Sequence, residues 1–447
     1  MNVPLLGHAG LDDVFAWRPT GAVRVRDFLA DAAALRPRLP PGRHLLNVCQ
    51  DRYRFVVGFA AGLLDGRISL QPSSQSPETL RRLQADYPDI ACLADGDFDS
   101  LDLRRLDFPE NTAVDPESIG EIPELPGGRV AACLFTSGST GMPMPHAKTW
   151  GRLVRNGRAE AARLGLLERP HHIVGTVPVQ HAFGFESTFL LGLHGGCPFW
   201  SGKPFYPQDI AAALASVPRP RLLVTTPLHL AALVASGIEL PPVDLLLSAT
   251  APLSARLAAE AEGRFSAPLH EIYGSTETGQ VASRQTTADP SWQPLPNVML
   301  DQEDDLTFAS GGHIEGRIAL SDVIELRPDG RFLLLGRHAD LVNIAGKRTS
   351  LAYLNHQITA IDGVRDAAFF LPDDAPADGI ARLAAFVVAP GLERRALLHA
   401  LRARIDPIFL PRPLVLVDAL PRNSVGKLPL ASLQALYAAA AGESAGG

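Results

Sequence analysis

Cysteine is scarce in this sequence, and no two cysteines are spaced as a metal-binding pair. The four that occur among 447 residues are Cys49, Cys92, Cys133 and Cys197, and each stands within an apolar run. We therefore expect buried, reduced thiols, as in a reducing cytoplasm, and no structural zinc site.

Long apolar runs and an excess of basic residues are also missing. No stretch is long enough to cross a bilayer, and the N-terminus has no basic region followed by an apolar one, as a signal peptide would. The chain has 41 Lys and Arg against 48 Asp and Glu, a net charge of -7, whereas general nucleic-acid-binding proteins are more often basic. These features favour a cytoplasmic protein with no membrane span and no nucleic-acid partner.

The sequence does contain an alternation of strand-like and helix-like segments. Apolar runs such as "RPRLLVTTP" alternate with helical stretches such as "DIAAALASV", which predicts an α/β fold with mostly parallel sheets. After about residue 300, "GRIALSDVIELRPDGRFLLLGR" alternates with period two around a turn and predicts a β-hairpin. Beyond Arg337 a smaller αβ unit follows, and the alanine-rich tail from about residue 438 is expected to be disordered.

The loop "TSGSTG", which follows the apolar segment "RVAACLF", has the composition of a phosphate-binding loop. Its members are Thr136, Ser137, Gly138, Ser139, Thr140 and Gly141. Glycines let successive backbone N–H groups point inward, and hydroxyl groups add donors, so the loop suits a polyphosphate. The mononucleotide P-loop pattern is absent from the sequence, and a simple polar turn is the alternative for this loop alone.

A second polar loop, "YGSTETG", also follows a predicted strand. Tyr273 offers a flat face for a base, Thr276 a hydroxyl group, and Glu277 a hard oxygen ligand for Mg²⁺. Loops at the carboxyl ends of parallel strands are where α/β proteins bind ligands. The alternative is a capped helix start, because threonine and glutamate suit such positions.

Two further segments carry residues of chemical interest. Asp322 lies just before one strand of the predicted hairpin and Arg337 ends the other; an aspartate can hold a ribose diol, and the alternative is a surface ion pair. Lys427 follows a glycine in "LPRNSVGKLPL", where a lone lysine is usually just solvated.

Together these loops resemble the adenylate-forming (ANL) superfamily, which includes acyl- and aryl-CoA synthetases, adenylation domains of peptide synthetases, and luciferase. The segments "TSGSTGMP", "SATAPLS", "YGSTETG", "SDVIELRPDGRFLLLGR" and "PRNSVGK" match its motifs in sequence and order, from about Leu45 to about Leu433. The resemblance implies a large N-terminal adenylation domain, residues 1–338, of mostly parallel sheets with helices and a β-rich subdomain. A small mobile αβ lid domain, residues 339–447, is implied to follow.

The same resemblance implies a reaction. A carboxylic acid attacks the α-phosphate of Mg·ATP, giving acyl-AMP and pyrophosphate. The lid then rotates, and a phosphopantetheine thiol, of an acyl carrier protein or of coenzyme A, attacks the mixed anhydride.

Roles for individual residues follow from the matched motifs. The residues implied to bind ATP are Thr136 to Gly141 at the β- and γ-phosphates, Ala249, Thr250, Ala251, Pro252, Tyr273, Gly274 and Ser275 around the adenine, Asp322 and Arg337 at the ribose, and Arg348 on the lid. The residues implied to act in catalysis are Thr276 at the α-phosphate, Glu277 on Mg²⁺, and Lys427 between the substrate carboxylate and the α-phosphate. His181, Phe183 and Gly184, in "VQHAFGF", are implied to border the acyl pocket, with an ordinary core histidine as the alternative for His181.

Two positions depart from the family pattern. Met144 stands where a lysine is usual near the departing pyrophosphate, and Lys148 lies four residues on. If this segment opens a helix, one turn separates the two positions, and Lys148 reaches back to serve as a catalytic residue. Ala339 stands at a hinge position that is usually Asp or Lys, with Asp340 next, and a hinge needs only to absorb a change in φ and ψ.

The continuation "MPHAKTW" resembles the free-standing ligases of aryl-polyene and xanthomonadin-type pigment pathways. That resemblance implies an aromatic acid, such as a hydroxybenzoate, and an acyl carrier protein as acceptor. One alternative is an acyl-CoA ligase for a fatty or other carboxylic acid. Another, from a different class, is a nucleotide-binding pseudoenzyme, motivated by Met144 and Ala339.

The charge of the lid bears on the acceptor. From Asp340 onward the chain has 11 Lys and Arg against 10 Asp and Glu, while the part before it has 30 against 38. Arg394, Arg395, Arg402 and Arg404 fall on one predicted lid helix. This basic helix could dock an acidic carrier protein, whereas a solvated helix face is the alternative; coenzyme A also carries phosphates.

Overall fold

The computed structural model describes residues 1–72, 74–98, 103–110, 114–137, 143–304, 306–337, 341–344, 347–372, 382–422 and 428–444. The strands are, in chain order, β1 (Asn2–Pro4), β2 (Val14–Arg18), β3 (Gly21–Arg24), β4 (His44–Asn47), β5 (Ile68–Gln71), β6 (Ala91–Ala94), β7 (Arg104–Asp107), β8 (Glu124–Pro126), β9 (Val130–Ser137), β10 (Pro143–Thr149), β11 (His172–Gly175), β12 (Phe199–Trp200), β13 (Arg221–Thr225), β14 (Leu245–Ser248), β15 (Leu269–Ser275), β16 (Gly279–Arg284), β17 (Gln293–Pro294), β18 (Val298–Glu303), β19 (Leu306–Gly311), β20 (Arg317–Ala319), β21 (Asp322–Leu326), β22 (Phe332–Arg337), β23 (Leu341–Ile344), β24 (Lys347–Ser350), β25 (Asp366–Phe370), β26 (Ala384–Val388) and β27 (Leu414–Leu416).

The helices alternate with these strands over most of the chain. They are α1 (Val25–Leu35), α2 (Arg52–Leu64), α3 (Pro77–Asp86), α4 (Trp150–Arg163), α5 (Ala182–Gly184), α6 (Leu191–His194), α7 (Pro207–Ala215), α8 (Pro227–Ala235), α9 (Ala255–Phe265), α10 (Leu351–Thr359), α11 (Arg394–Arg402) and α12 (Leu430–Ser444). A π-helical stretch, Phe185–Leu190, joins α5 to α6. Within the described ranges, no helix is both long and apolar enough to cross a membrane.

Two large sheets form the body of the molecule. In the first, β4 to β7 and β9 are parallel, and β10 pairs antiparallel with β9 at one edge. In the second, β2 and β11 to β15 are parallel, with antiparallel strands at both edges. Their inner strands β6 and β14 are fully buried, as expected where helices cover both faces of a parallel sheet. The predicted α/β class with mostly parallel sheets is thus confirmed.

Local sequence signals explain where several helices begin. The Asp51 side chain accepts a hydrogen bond from the Arg54 amide at the start of α2, and Ser254 does the same for Leu257 at the start of α9. Such caps satisfy amide groups that have no partner within the helix. The α2 helix is buried along most of its length, and its aromatic residues pack into the largest hydrophobic cluster.

The predicted hairpin in the β-rich part is confirmed. Strands β21 and β22 pair antiparallel, with Asp322 opposite Arg337. Phe332 is fully buried in a cluster with Trp292 and Ile324. The turn between the two strands is "RPDGR", and Gly330 in it has a φ of +80°, a conformation that glycine adopts without strain.

The last part of the chain forms its own hydrophobic clusters. Both are built from residues beyond β22, one around β25, β26, α10 and α11 and the other where α12 covers β25 and β26. The expectation of a disordered tail from about residue 438 is wrong for residues 438–444, which continue α12. Alanine is the strongest helix former, and Tyr437 packs against Phe370, with ring centroids 5.7 Å apart.

Candidate active site

Three of the sequence-predicted loops lie at one edge of the second sheet. The segments that begin after Gly175, Ser248 and Ser275 follow the carboxyl ends of β11, β14 and β15, which are parallel strands of the same sheet. Such an edge is where open α/β sheets bind ligands. The fold therefore gathers "VQHAFGF", "SATAPLS" and "YGSTETG" on one side of the molecule.

The hairpin of β9 and β10 brings Thr136, the first residue of the phosphate-loop segment, to the same place. His146 on β10 lies between Thr136 and Glu277: its Nε2 is 3.1 Å from Thr136 Oγ1 and 3.8 Å from Glu277 Oε1. Burial lowers the pKa of His146, and the Glu277 carboxylate opposes that shift. A hydroxyl group, an imidazole and a carboxylate thus face one another at the junction of the two sheets.

The "YGSTETG" segment is a tight turn between strands, so the alternative of a helix start is wrong. Ser275 and Thr278 close the turn through their side chains, with Oγ and Oγ1 3.1 Å apart. Gly274 and Gly279 stand where side chains do not fit, because a Cβ on Gly274 would be 2.3 Å from the Gly279 carbonyl oxygen. Thr276 and Glu277 occupy the apex and are partly exposed. The turn therefore presents a hydroxyl group and a carboxylate from a fixed backbone.

Tyr273 and Asp322 are in direct contact. The Tyr273 hydroxyl donates to Asp322 Oδ2 at 2.8 Å, and the ring lies against Trp292 and Phe332 at centroid distances of 5.7 and 5.8 Å. One ring edge is thereby fixed by an acceptor and the other by the hydrophobic cluster. The two residues predicted for adenine and ribose belong to one rigid unit.

The remaining predicted residues that the structure describes follow β11 and β14. Ala249, Thr250, Ala251 and Pro252 follow β14, and Thr250 has a φ of +81°, a strained conformation for a β-branched residue that often marks functional loops. His181 is half-buried, and its Nδ1 accepts from the Phe183 amide at 3.4 Å. Phe183 is buried, and Gly184 packs against the Pro178 carbonyl so closely that a Cβ would clash.

Comparison with known proteins identifies the family. The model of the AMP-binding enzyme family matches residues 35–311, which is more than half of the chain. The chain belongs to this family of adenylate-forming enzymes. It is an enzyme, an AMP-forming acid–thiol ligase, and the alternative of a nucleotide-binding pseudoenzyme is therefore wrong.

Individual relatives are distant in sequence but similar in length. The chain is 27% identical to 4-coumarate–CoA ligase of Rhodobacter capsulatus over 74% of this chain and 85% of that protein. It is 23% identical to 2-succinylbenzoate–CoA ligase of Bacillus velezensis over 89% and 86%. The crystal structure of ATP-bound MatB from Rhodopseudomonas palustris superposes with a TM-score of 0.82 at 18% identity, covering 98% of this chain and 99% of that one. The last likeness shows the adenylate-forming fold.

The position of Lys148 in this adenylate-forming enzyme differs from the prediction. Residues 143–149 form β10 rather than the start of a helix, because Pro145 suits an edge strand and β10 pairs along its length with β9. Met144 and Lys148 are therefore about 13 Å apart along the strand, and the reach back by one helical turn is wrong. Met144 is 54% exposed, whereas Lys148 is 6% exposed and its Nζ donates to the Glu277 carbonyl oxygen at 2.6 Å.

A layer of buried ionisable groups beneath the turn was not foreseen from the sequence. Burial raises the pKa of Glu186 to about 8 and that of Glu160 to about 7, and it lowers the pKa of His313 to about 4. His313 Nε2 donates to the Gln280 carbonyl oxygen at 2.6 Å. Glu160 lies on α4, Glu186 on the π-helical stretch and His313 in the loop before β20, and no motif marked them; His146, inside the quoted "MPHAKTW", was visible but unassigned.

Some predicted residues fall outside what the structure describes. Gly138, Ser139, Thr140, Gly141, Ala339, Asp340 and Lys427 lie outside the described ranges. Ser137, Arg337 and Arg348 are described as backbone positions of β9, β22 and β24. The roles of all ten stay predictions, as does the domain boundary after residue 338.

Proposed function

We propose that this enzyme activates an aromatic carboxylic acid of the hydroxybenzoate type as acyl-AMP and transfers the acyl group to the phosphopantetheine thiol of an acyl carrier protein. The observation that carries the proposal is the meeting of Thr136, His146 and Glu277 at the junction of the two sheets. It puts the start of the phosphate loop beside the carboxylate assigned to magnesium. Acyl-CoA formation is the alternative outcome.

The contacts support specific roles around ATP. Thr136 opens the loop assigned to the β- and γ-phosphates, and Thr276, next to Glu277 in the turn, is assigned to the α-phosphate. Tyr273 offers one ring face to the adenine while its hydroxyl fixes Asp322 for the ribose. Glu277 fits Mg²⁺, because this ion is usually held by one or two carboxylates together with substrate phosphates, and bound Mg²⁺ would neutralise the charge of the departing pyrophosphate.

The chemistry runs in two steps. A carboxylate oxygen of the acid bonds to the α-phosphorus of ATP, and the bond from that phosphorus to the β-phosphate bridging oxygen breaks, releasing pyrophosphate. The thiol sulfur then bonds to the acyl carbon, the bond from that carbon to the AMP oxygen breaks, and the thiol proton goes to solvent. The protein holds the reacting groups in line and excludes water from the mixed anhydride.

An aromatic substrate is supported from two sides. The relatives in the comparison act, by name, on 4-coumarate and 2-succinylbenzoate, which are both aromatic acids. Phe183, in the segment assigned to the acyl pocket, is buried at the same sheet edge, where it offers an apolar ring for a flat substrate.

A carrier-protein acceptor is supported by α11. Arg394, Arg395 and Arg402 are exposed on this helix, and its apolar side, with Leu397 and Leu401, is buried in the domain core. A basic helix face complements the acidic surface that is typical of carrier proteins. The same arginines would attract the phosphates of coenzyme A more weakly, because coenzyme A is small and makes fewer contacts.

A panel of acids with two acceptors tests the proposal. Purified enzyme is given ATP, Mg²⁺ and one acid from a set of hydroxybenzoates, cinnamates and fatty acids, with either a phosphopantetheinylated carrier protein or coenzyme A. Thioester is measured by intact mass for the carrier and by chromatography for coenzyme A. We expect hydroxybenzoate on the carrier to give the highest kcat/KM. Faster reaction with fatty acids, or with coenzyme A for every acid, would contradict the proposal.

A further inference from the structure

Lys148 is buried directly beneath the residue assigned to magnesium. It projects from β10, is 6% exposed, and donates from Nζ to the backbone carbonyl oxygen of Glu277 at 2.6 Å. The bond crosses from the first sheet to a turn of the second. A charged donor makes a stronger hydrogen bond than a neutral one, so this contact holds the apex of the turn from below.

Gly279, the last residue of the turn, packs against the same group of buried polar side chains. Gly279 has a φ of +74°, and a Cβ there would lie 3.1 Å from Glu186 Oε1 and 3.2 Å from Asn156 Nδ2. Lys148 and Glu186 line one small cavity together with Asn156, Gly279 and His313. The backbone on both sides of Glu277 therefore packs on polar side chains that are largely buried.

The charges of this layer are arranged around Lys148. Burial lowers the pKa of Lys148, while Glu186, then Glu315 and Glu277, oppose that shift. Burial raises the pKa of Glu186, and Lys148 is the strongest influence that opposes it. Glu315 accepts hydrogen bonds from the Thr149 amide and hydroxyl at 2.9 and 2.6 Å, and Glu186 lines the cavity beside Lys148.

We propose that Lys148 is a positioning residue that fixes the Glu277 backbone, and so the direction of its carboxylate toward Mg²⁺. The proposal rests on the assignment of Glu277 to magnesium in the proposed function. It differs from a lysine that touches the phosphates, because Nζ is engaged by a carbonyl oxygen under the turn. A layer of this kind supports a metal ligand without touching the metal.

The test uses ATP binding rather than turnover. The rise in the unfolding midpoint caused by ATP is measured over a range of Mg²⁺ concentrations for the wild type, Lys148→Met, and Lys148→Met/Glu186→Gln. Lys203→Met is the matched control, because Lys203 is a lysine on the surface whose Nζ donates to Gln50 Oε1. The methionine keeps most of the lysine length without its charge.

We expect Lys148→Met to raise, by about tenfold or more, the Mg²⁺ concentration that gives half of the Mg²⁺-dependent rise in the unfolding midpoint. The rise that ATP causes without Mg²⁺ should stay unchanged. Lys148→Met/Glu186→Gln also removes the acid beside the lysine; it should show the same raised Mg²⁺ requirement and serves if Lys148→Met does not fold. Unchanged Mg²⁺ dependence would overturn the positioning role. A weaker effect of ATP alone would overturn it in favour of direct phosphate contact.

The wild type separates this inference from the proposed function. If Mg²⁺ does not increase the rise in unfolding midpoint that ATP causes in the wild type, the assignment of Glu277 to magnesium fails, and the inference fails with it. If the wild type depends on Mg²⁺ and Lys148→Met depends on it equally, the inference alone fails.

Discussion

At the scale of single residues, the site combines an exposed carboxylate with buried ones. Glu277 is partly exposed at the apex of its turn, whereas Glu160 and Glu186 lie in the interior below it. The sequence could single out Glu277 because it stands in a recognisable loop. It could not single out Glu160 or Glu186, because burial of an acid depends on which helix face the fold covers.

The first residue-scale prediction concerns Glu277. Glu277→Gln keeps the shape of the side chain but removes the charge that a hard cation requires. We expect pyrophosphate exchange to need about tenfold or more Mg²⁺ for half of its maximal rate. The control is Glu168→Gln, which removes an exposed glutamate far along the chain from the turn. An unchanged magnesium dependence in Glu277→Gln would refute the assignment.

The second residue-scale prediction concerns Glu160 and pH. Burial raises the pKa of this acid from 4.5 to about 7, so the folded protein holds the proton more tightly than the unfolded chain. Stability is therefore lost as pH rises from about 4.5 through 7. Glu160→Gln should avoid this loss and be more stable than the wild type above pH 7, by on the order of 2–3 kcal/mol.

The measurement for Glu160 is denaturant unfolding at pH 5 and at pH 8, with Glu168→Gln as the control for loss of a charge. The free energy of unfolding of Glu160→Gln should exceed that of the wild type by more at pH 8 than at pH 5. Equal differences at the two pH values would show that the Glu160 carboxyl titrates alike in the folded and unfolded states.

At the scale of elements, the sequence predicted the alternation of strands and helices and the hairpin of β21 and β22 but missed one decisive strand. The apolar runs of β13, β14 and β15 and the caps of the helices are local signals, and local signals predict local structure. The segment from Pro143 to Thr149 has no such signal, because its strand is imposed by pairing with β9. That pairing, and not helical periodicity, puts His146 and Lys148 under the Glu277 turn.

Helix α11 carries the element-scale prediction. Arg394→Glu/Arg395→Glu reverses the charge of its exposed face without touching Leu397 or Leu401 in the core. We expect transfer to a carrier protein to fall about tenfold or more at low salt, since close charge pairs set encounter rates, and the deficit to shrink at high salt. Transfer to coenzyme A should fall less, and adenylate formation should not change.

The control for α11 is Arg81→Glu, which reverses an exposed charge on α3. Transfer rates are compared for variant and control with both acceptors over a range of salt concentrations. Equal losses with carrier protein and coenzyme A would argue against a docking face on this helix.

At the scale of the whole molecule, two sheets from different parts of the chain meet to form the site. Thr136 and His146 belong to the first sheet, and Glu277 belongs to the second. The family motifs predicted which loops take part, since each loop is a local pattern. The contact between the sheets could not be read from the sequence, because it depends on long-range packing.

Oxygen transfer from the acid to AMP is the most direct test of the central claim, that a carboxylate attacks the α-phosphorus of ATP. Hydroxybenzoate with ¹⁸O in both carboxylate positions is converted to thioester by the enzyme with ATP, Mg²⁺ and a carrier protein, and the nucleotide product is analysed by mass spectrometry. The account predicts one ¹⁸O in AMP, one retained in the thioester and none in pyrophosphate. Label in pyrophosphate or phosphate, or unlabelled AMP accompanying thioester, would contradict it.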